Sequence, residues 1–484
     1  MKKTFFAAIL TVFVSFVCGA WWEGGAARVL SLGGVSVVLP DSTAVIDLYS
    51  QGFASALVYR ESAGVISFSP EYNFNKIFFW TESEVYRMGP MDSKGNNFIF
   101  WMTPFDAISI QVLYGGIFSD NYGLSGKFSM NRGTIKADYA HSFGTGIAMG
   151  LKFGYMAGYM ENTGFEFWEY DGIHVYNSAG ETSKYLECMI DMSIQLGAET
   201  ALFISGGVMQ PRGGMINPGK IIDQIPGFKF PVSDGMAGTY GSGVITGDGV
   251  EASYEYTTAG NALNAGLQYV MISVVEAFIK AGVVINYKEE YRHVRTWNSD
   301  FYLITNDGIA YDTAAKARFF LGGNFIAGLG AWGRAVDYKE IVKNGAGIIN
   351  NMEKTDYSSE LCAGLTYQNG IIRMPVEIFG YFSDRNYIFD RSGGLRGGVE
   401  LDAAEWLSIR IGANVPFITE HVKDIKMNYV YEACAGVGFK FGEFNANCGF
   451  SYFARSYTFD LGYSYYDESK ESNIRVMLDL TCML

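Results

Sequence analysis

Long stretches of this chain alternate apolar and polar residues, which is the period of a β-strand and not of a helix. The last eleven residues, IRVMLDLTCML, show the pattern. From Ile474 to Leu484 every second residue is apolar, and the residues between them include Arg475 and Asp479. Two folds satisfy such alternation: a soluble sandwich, whose apolar faces meet each other, and a membrane barrel, whose apolar face meets lipid.

The composition favours the barrel. Only 18% of the residues are charged, 16% are aromatic, and the 484 residues include 59 Gly and 10 Pro. A large soluble sandwich usually carries more charge, whereas aromatic girdles suit a transmembrane barrel. The most apolar stretch, residues 267–287, is interrupted by Gln268, Glu276 and Lys280, so helical membrane spans are not expected. We predict an all-β fold: a transmembrane antiparallel up-and-down β-barrel with an even strand number, about 14–18.

The N-terminus has the pattern of an export signal. Lys2 and Lys3 precede a mostly apolar run over residues 4–17, and Cys-Gly-Ala follows it. This predicts a signal peptide over residues 1–20, because the run is shorter than the roughly 20 residues of a membrane helix. A lipoprotein signal at Cys18 is an alternative, although Val rather than Gly or Ala precedes it. We expect export to the outer membrane of a diderm bacterium.

Short and long connections alternate along the chain. Short turns are expected at TPFDA, LGAE, QNG, DAAE and Gly442-Glu443, and QNG is the strongest hairpin signal because Asn and Gly tolerate positive φ. Longer loops are expected at 160–183, 209–250, 288–313, 338–356, 383–393 and 415–428. This two-sidedness is typical of outer-membrane barrels, with the long loops outside.

The alternation changes phase near Arg455-Ser456 and near Arg132-Gly133. A β-bulge adds one residue to a strand and shifts its phase without ending it. We therefore predict a bulge at each place. The runs at 444–454 and 457–465 then form one strand.

If the apolar face of each strand points to lipid, charged residues of both signs point into the lumen. These residues are Lys136, Asp138, Lys152, Glu187, Asp191, Glu276, Lys280, Arg373, Glu377, Glu400, Arg410, Lys440, Arg475 and Asp479. The mixture predicts ion pairs across the inner wall or contacts to a plug, rather than a filter of one sign. A solute path is the alternative.

No motif indicates an enzyme, a metal site or a cofactor. GLGAWG, residues 328–333, continues as a strand, whereas a dinucleotide fingerprint needs a helix next. His141 and Ser142 are neighbours on a strand and point to opposite faces. The cysteines after residue 20 lack a CxxC pair, and a Cys434–Cys448 bridge across a hairpin is the one disulfide considered. A net charge of −14 argues against nucleic acid.

Residues 24–57 resemble the start of mature chains in the long-chain fatty-acid transporter (FadL-like) superfamily, which includes PorV-like proteins. The matching positions are Ala27, Arg28, Leu30, Leu32, Gly33 and Gly34, then Asp41 and Ala44, then Gly52 and Phe53. The family's Asn-Pro-Ala triplet is replaced by Tyr49, Ser50 and Gln51, and its aromatic last residue by Leu484.

The resemblance implies that residues 21–60 fold inside the barrel as a hatch and that residues 61–484 form the barrel. The candidate hatch or ligand-contact residues are Arg28, Gly33, Gly34, Asp41, Tyr49, Gly52 and Phe53. Independently of the resemblance, Asp41 is a good N-cap for a short helix through Tyr49, and Gly33-Gly34 permits a tight turn. An ordinary first strand with a periplasmic linker is the alternative.

A loop rich in aromatic residues follows one of the expected strands. Phe165, Phe167, Trp168 and Tyr170 lie among acidic residues and are predicted to form a surface site for an apolar ligand, a carbohydrate or a partner, or else an outer aromatic girdle. We expect lipid as the barrel's surroundings and the barrel-assembly machinery as the partner of the C-terminal strand, residues 474–484.

Three functions remain open at this point. The first is a FadL-like channel for hydrophobic small molecules, without catalysis. The second is a PorV-like or structural barrel that binds exported proteins at the surface. The third is a general porin.

Overall fold

The structure, a computed structural model, describes residues 26–35, 37–39, 53–59, 65–68, 71–80, 85–94, 96–102, 105–122, 126–144, 146–169, 172–208, 239–247, 250–271, 273–295, 301–385, 388–420, 425–442, 444–460 and 466–483. Within these ranges no helix is long and apolar enough to cross a membrane. Nearly all of the described residues belong to one β-sheet.

The elements are two short helices followed by strand segments. In chain order they are α1 (Ala26–Ser31), a 3₁₀ helix (Ala54–Tyr59), β1 (Val65–Phe68), β2 (Glu71–Trp80), β3 (Val85–Lys94), β4 (Asn96–Met102), β5 (Asp106–Tyr122), β6 (Gly126–Ser142), β7 (Ile147–Glu169), β8 (Gly172–Gln195), β9 (Thr200–Val208), β10 (Thr239–Gly247), β11 (Val250–Met271), β12 (Val275–Arg295), β13 (Phe301–Phe320), β14 (Phe325–Asn344), β15 (Gly347–Asn369), β16 (Ile372–Arg385), β17 (Ile388–Ala404), β18 (Leu407–Glu420), β19 (Ile425–Phe441), β20 (Phe444–Asp460) and β21 (Tyr466–Met483).

The sheet closes on itself. Strands pair antiparallel with their neighbours along the chain, and the last, β21, pairs with β20 on one side and with β1 and β2 on the other. Both β1 and β2 keep one register against β21, so they form a single wall position. β3 and β4 likewise follow one another along β2 and β1, and β9 and β10 follow one another along β8, so each of these pairs also forms a single wall position. Three of the 21 segments thus continue another segment, which leaves 18 positions in the described wall. The predicted closed antiparallel barrel with an even strand number is confirmed.

One wall position is interrupted by an insertion. β9 and β10 lie end to end between β8 and β11: Val208 pairs with Cys188 and Asn261, and Tyr240 pairs with Lys184 and Thr257. The 30 residues between the two segments, 209–238, lie outside the described residues.

Side chains alternate across the wall as predicted. On β15 and β18 the outward Leu361 and Ile411 are 64% and 67% exposed, whereas the inward Glu377 of β16 and Arg410 of β18 are 0% and 5% exposed. A soluble sandwich would bury its apolar side chains and expose its charged ones. The pattern here is the reverse, because the apolar face meets lipid.

Aromatic pairs mark both edges of the apolar band. Tyr357 stacks on Phe382 at one edge, and Tyr367 contacts Phe325 at the other. Tyr357 and Tyr367 are ten positions apart on β15, which is about 33 Å along the strand and about 25 Å along the barrel axis at a tilt near 40°. That height matches the roughly 25 Å apolar band of outer-membrane barrels.

The inner wall carries the expected ion pairs. Lys280 contacts Asp312 at 2.5 Å, Arg318 contacts Glu276 at 2.9 Å and Lys354 contacts Glu340 at 2.9 Å. Each pair joins neighbouring strands, so charges of both signs form ion pairs on the inner face of the wall, as the sequence predicts.

All five predicted short turns are present between consecutive strands. At QNG the chain turns through Gly370, whose φ is +46°. The long loops are a different matter. Most of 160–183, 288–313 and 338–356 is strand, because β7–β8, β12–β13 and β14–β15 keep pairing almost to their tips. Polar composition alone did not end these strands, since cross-strand pairs still form outside the membrane.

The two predicted bulges are wrong in position. β20 is one strand through Ser456, as expected, but the extra residue lies opposite it on β19, between Met427 and Tyr429. β6 pairs without interruption through Arg132 and Gly133, and the irregularity lies on β5 between Ser119 and Tyr122. In both cases the irregularity lies on the neighbouring strand.

The Cys434–Cys448 bridge considered from the sequence does not form. Both cysteines are free thiols, because Cys434 pairs in register with Ser451 and Cys448 with Val437. Cys434 points inward and is buried.

The outward position of Leu361 gives a stability test. We expect Leu361→Arg, near the middle of the apolar band, to lower the free energy of unfolding by about 2–4 kcal/mol in lipid vesicles. Ile348→Arg is the matched control. Ile348 lies on the same strand beyond the aromatic edge, and its exposed fraction of 61% is close to the 64% of Leu361. Its expected cost is about 0–1 kcal/mol. Equal costs in a guanidinium titration would show that the band is misplaced.

Candidate functional site: the N-terminal segment on the inner wall

The chain before β1 lies against the inner wall at three places. We call residues 26–35, 37–39 and 53–59 the N-terminal segment. Helix α1 contacts β18–β21, residues 37–38 contact β13–β16, and the 3₁₀ helix contacts β5–β8. These strands are spread around the cylinder, so the described residues before β1 contact the inner wall at three separate places.

Helix α1 ends at a pair of glycines. Gly33 and Gly34 have φ of +78° and +81°. The Gly34 N–H donates to Val29 O at 2.9 Å and the Gly33 N–H to Leu30 O at 3.1 Å. This is a Schellman ending, which requires a left-handed residue at the first position after the helix. It confirms the tight turn expected there and directs the chain along the wall.

The wall beneath α1 is built of inward glycines. A Cβ at Gly412 would lie 2.5 Å from the Gly33 nitrogen, and a Cβ at Gly398 would lie 3.0 Å from Leu32. A Cβ at Gly436 would overlap the Ser31 hydroxyl. Only side-chain-free wall positions therefore admit the helix at this distance, and Leu32 becomes fully buried.

Arg28 fixes α1 to the wall through one carboxylate. Its Nε donates to Glu400 Oε2 at 2.6 Å and its terminal nitrogen to Oε1 at 3.0 Å, a bidentate pair. Glu400 also contacts Arg410 at 2.7 Å and Arg373, and Arg373 contacts Asp402 at 3.3 Å. Burial lowers the pKa of the Arg28 guanidinium, and the Glu400 charge opposes that shift.

The backbone N–H and C=O groups of residues 37–38 hydrogen-bond to side chains of the wall. The Val37 and Val38 N–H groups donate to Glu377 Oε1 at 2.6 and 3.1 Å. Arg318 Nε donates to Val37 O at 3.2 Å, and the Thr366 hydroxyl donates to Val38 O at 2.9 Å. The wall thus satisfies two donors and two acceptors of buried backbone.

Inward glycines again make room for this backbone. A Cβ at Gly328 would overlap Val37 O, and one at Gly330 would lie 2.6 Å from the Val37 side chain. Both belong to GLGAWG. The strand assignment made from the sequence is confirmed, and the structure adds the reason for the glycines.

The 3₁₀ helix is held by Asp191 of β8. Asp191 Oδ1 accepts from the Ala54 N–H at 3.0 Å, and Oδ2 accepts from the Ser55 N–H at 2.8 Å and from the Ser55 hydroxyl. Phe53 is fully buried with its ring 5.7 Å from that of Phe203. Burial of Phe53 adds about 1.5–3 kcal/mol to docking.

Each anchoring carboxylate also has a cation on the wall itself. Glu400 has Arg373 and Arg410, Glu377 has Arg396 Nε at 2.8 Å, and Asp191 interacts with Lys152. Departure of the N-terminal segment would therefore leave no buried carboxylate without an opposite charge. An uncompensated buried charge would have cost about 3–5 kcal/mol.

Among the residues expected to form the hatch, the structure brings four to the inner wall: Arg28, Gly33, Gly34 and Phe53. Asp41, Tyr49 and Gly52 lie outside the described residues. Phe165, Phe167 and Trp168 lie on β7, paired with β8, and Tyr170 lies outside the described residues. The role of these four as a surface site stays a prediction. Sequence reasoning placed Asp191, Glu377 and Glu400 in the lumen but did not identify them as anchors.

A cavity of about 690 Å³ adjoins the wall where residues 37–38 dock. Most of its lining residues belong to the outward face of β12–β16, including Ala277, Ala317 and Ala363. It shares Gly330 and Cys362 with the surroundings of Val37.

A closed sheet with an apolar exterior, an ion-paired lumen and part of its own chain against the inner wall defines a transmembrane β-barrel with an internal segment. No protein-family model and no curated protein matches the chain. The chain is similar to solved structures, among them the following three.

The toluene transporter TodX of P. putida is 11% identical, covering 96% of this chain and 99% of that one, with a TM-score of 0.40. A FadL homologue of Pseudomonas aeruginosa is 10% identical over 96% and 100%, with a TM-score of 0.41. The ferric yersiniabactin uptake receptor FyuA from Yersinia pestis is 7% identical over 87% and 80%, with a TM-score of 0.43. No residue role is transferred from these similarities.

Arg28→Ala should loosen α1 from the wall. Cys434, which is 5% exposed, pairs in register with Gly412, the wall residue on which Gly33 packs. Loss of two charge-assisted bonds should raise the rate of Cys434 modification by a polar maleimide about tenfold or more. The measurement uses a background in which the other cysteines are Ala. Lys354→Ala, which removes an ion pair of the wall alone, is the control. Equal rates in the two variants would contradict the anchor.

Gly412→Ala should displace α1 by steric overlap with the Gly33 and Leu32 backbone. Gly380→Ala is its control, because a Cβ there meets nothing within 4 Å. We expect Gly412→Ala, but not Gly380→Ala, to increase Cys434 modification while the barrel stays folded. No difference between the two would mean that the close approach of α1 is absent.

Proposed function

We propose that the chain is a FadL-like outer-membrane channel for the uptake of hydrophobic small molecules, in which residues 21–60 act as a hatch. The proposal includes export through the signal peptide of residues 1–20 and insertion by the barrel-assembly machinery through the C-terminal strand, residues 474–484. The channel works by binding and movement, without catalysis.

One observation supports this proposal: the N-terminal segment is held by wall carboxylates that cations of the wall already neutralise. Arg28 and the amides of residues 37–38 and 54–55 can leave Glu400, Glu377 and Asp191 without stranding a charge. A permanent plug does not need a second cation beside each of these carboxylates. A hatch that must move and return does.

The route suits apolar solutes better than ions. Valines, leucines and Phe53 of the N-terminal segment are buried against the wall, so a solute that passes beside them replaces one apolar contact by another. An open polar channel, which a general porin requires, would not have Arg28, Val37 and Ser55 docked on its inner wall.

A second candidate function rests on the β7–β8 hairpin. Its strands contain 23 and 24 residues, more than twice the roughly 9–11 that cross a membrane. The hairpin therefore extends well beyond the apolar band, and Phe165, Phe167 and Trp168 lie near the end of its paired strands. A PorV-like or structural barrel would use such a projection to bind exported proteins.

Liposome permeation tests the first function. The full protein and a variant lacking residues 24–57 are reconstituted separately, and the entry of arabinose and of an apolar fluorescent probe is followed. We expect the full protein to admit the apolar probe and exclude arabinose, because the proposed hatch closes the lumen to polar solutes. The deletion variant should admit both.

The outcomes separate the candidates. Zero permeability to both solutes in both proteins would remove the transport proposal. A full protein that admits arabinose freely would indicate a porin instead. Capture of an exported protein that is lost when residues 165–170 are replaced by a short turn would support the second candidate.

A further inference from the structure

Three side chains form a row on the inner wall, two residues beyond the contact with Val37. Trp332 of β14 pairs in register with Glu360 of β15, which pairs with Tyr381 of β16. All three share the inward phase of their strands: Val336 and Ser358 on β14 and β15 have the same phase and are 2% and 1% exposed.

Both aromatic side chains of the row are partly exposed on the inner side of the wall. Trp332 is 36% exposed although it points inward, and Tyr381 is half-buried. The two rings are 6.2 Å apart and inclined at 46°. In the row below, the guanidinium of Arg396 lies 5.3 Å from the centre of the Phe379 ring.

Glu360 lies on the strand between the two aromatic residues and contacts one of them. Glu360 Oε2 accepts from Trp332 Nε1 at 3.0 Å, and Oε1 contacts Arg396 at 3.5 Å. Two carboxylate oxygens offer about four acceptor sites, and the side chain of Glu360 is 27% exposed. Glu360 can therefore accept a further hydrogen bond from a molecule in the lumen.

The row stands on the outer side of the hatch contact. β14 begins after the short turn at residues 321–324. Gly328 and Gly330, which pack against Val37, are closer to that turn than Trp332 is. A solute that enters from the long-hairpin end reaches Trp332 first. Arg396, which contacts Glu360, also contacts Glu377, and Glu377 holds the Val37 and Val38 amides.

We propose that Trp332, Tyr381 and Glu360 form a binding site for an aromatic ring that carries a hydroxyl or amino group. The inference rests on the proposed transport function and narrows its substrate class. Stacking on Trp332 and Tyr381 favours a ring over a saturated chain, because aromatic pairs gain about 0.5–1.5 kcal/mol beyond their buried area. The Glu360 carboxylate favours a donor group and repels an anionic one.

Equilibrium binding to the protein in lipid nanodiscs tests the site. The probes are 2-naphthol, naphthalene and decanoate, and empty nanodiscs give the partition background. We expect 2-naphthol to bind most tightly. Trp332→Leu should weaken its binding about tenfold, and Trp332→Phe, which keeps a ring, about threefold or less. Glu360→Gln should reduce the preference for 2-naphthol over naphthalene to about twofold or less.

Trp406→Leu is the matched control. Trp406 is also a half-exposed tryptophan, but it stacks on Phe439 on the outward face. The Trp406→Leu variant should bind 2-naphthol as tightly as the unmodified protein does. Equal affinities of the Trp332→Leu and Trp406→Leu variants, or decanoate binding that is as tight as that of 2-naphthol, would overturn the proposal.

The two proposals fail separately. If apolar solutes permeate but the Trp332 and Trp406 variants bind 2-naphthol alike, the channel stands and the aromatic site falls. If nothing permeates but Trp332→Leu alone loses 2-naphthol, the site stands and the transport function falls.

Discussion

The pairing of the last strand with the first is the constraint on which the rest of the structure depends. In lipid, every backbone N–H and C=O must find its partner inside the sheet, because no water is present to satisfy it. β21 meets β1 and β2 along most of its length and so removes the free edges. Closure then creates an interior, and the alternation of side chains places the charged residues there. The N-terminal segment has a wall to dock on only because the sheet is closed.

The period-two pattern and the turn chemistry were enough to predict the architecture. The outward phase of Leu361, the inward phase of Glu377 and the hairpin at Gly370 all follow from local rules that tertiary context did not override. Strand lengths and bulges were less predictable. The extra residue near Ser456 belongs to β19 and not to β20, and one strand's sequence does not reveal its neighbour's irregularities.

The docking site was predictable in part. Arg28 and Gly33 came from the resemblance, and the inward carboxylates came from the alternation. The pairing of Arg28 with Glu400, 372 positions later, could not be predicted, because no local pattern encodes which inward charge faces a segment in the lumen. The same holds for the glycines: Gly328 and Gly412 have similar strand contexts, and only the docked chain explains why neither has a side chain.

Hydrogen–deuterium exchange of the protein in nanodiscs tests the central claim most directly. If residues 26–59 are docked across a closed lumen, the amides of Val37, Val38, Ala54 and Ser55 exchange far more slowly than in an unstructured peptide, because wall carboxylates accept their hydrogen bonds. Exchange of these four amides at the unprotected rate, while β15 and β16 remain protected, would contradict the account.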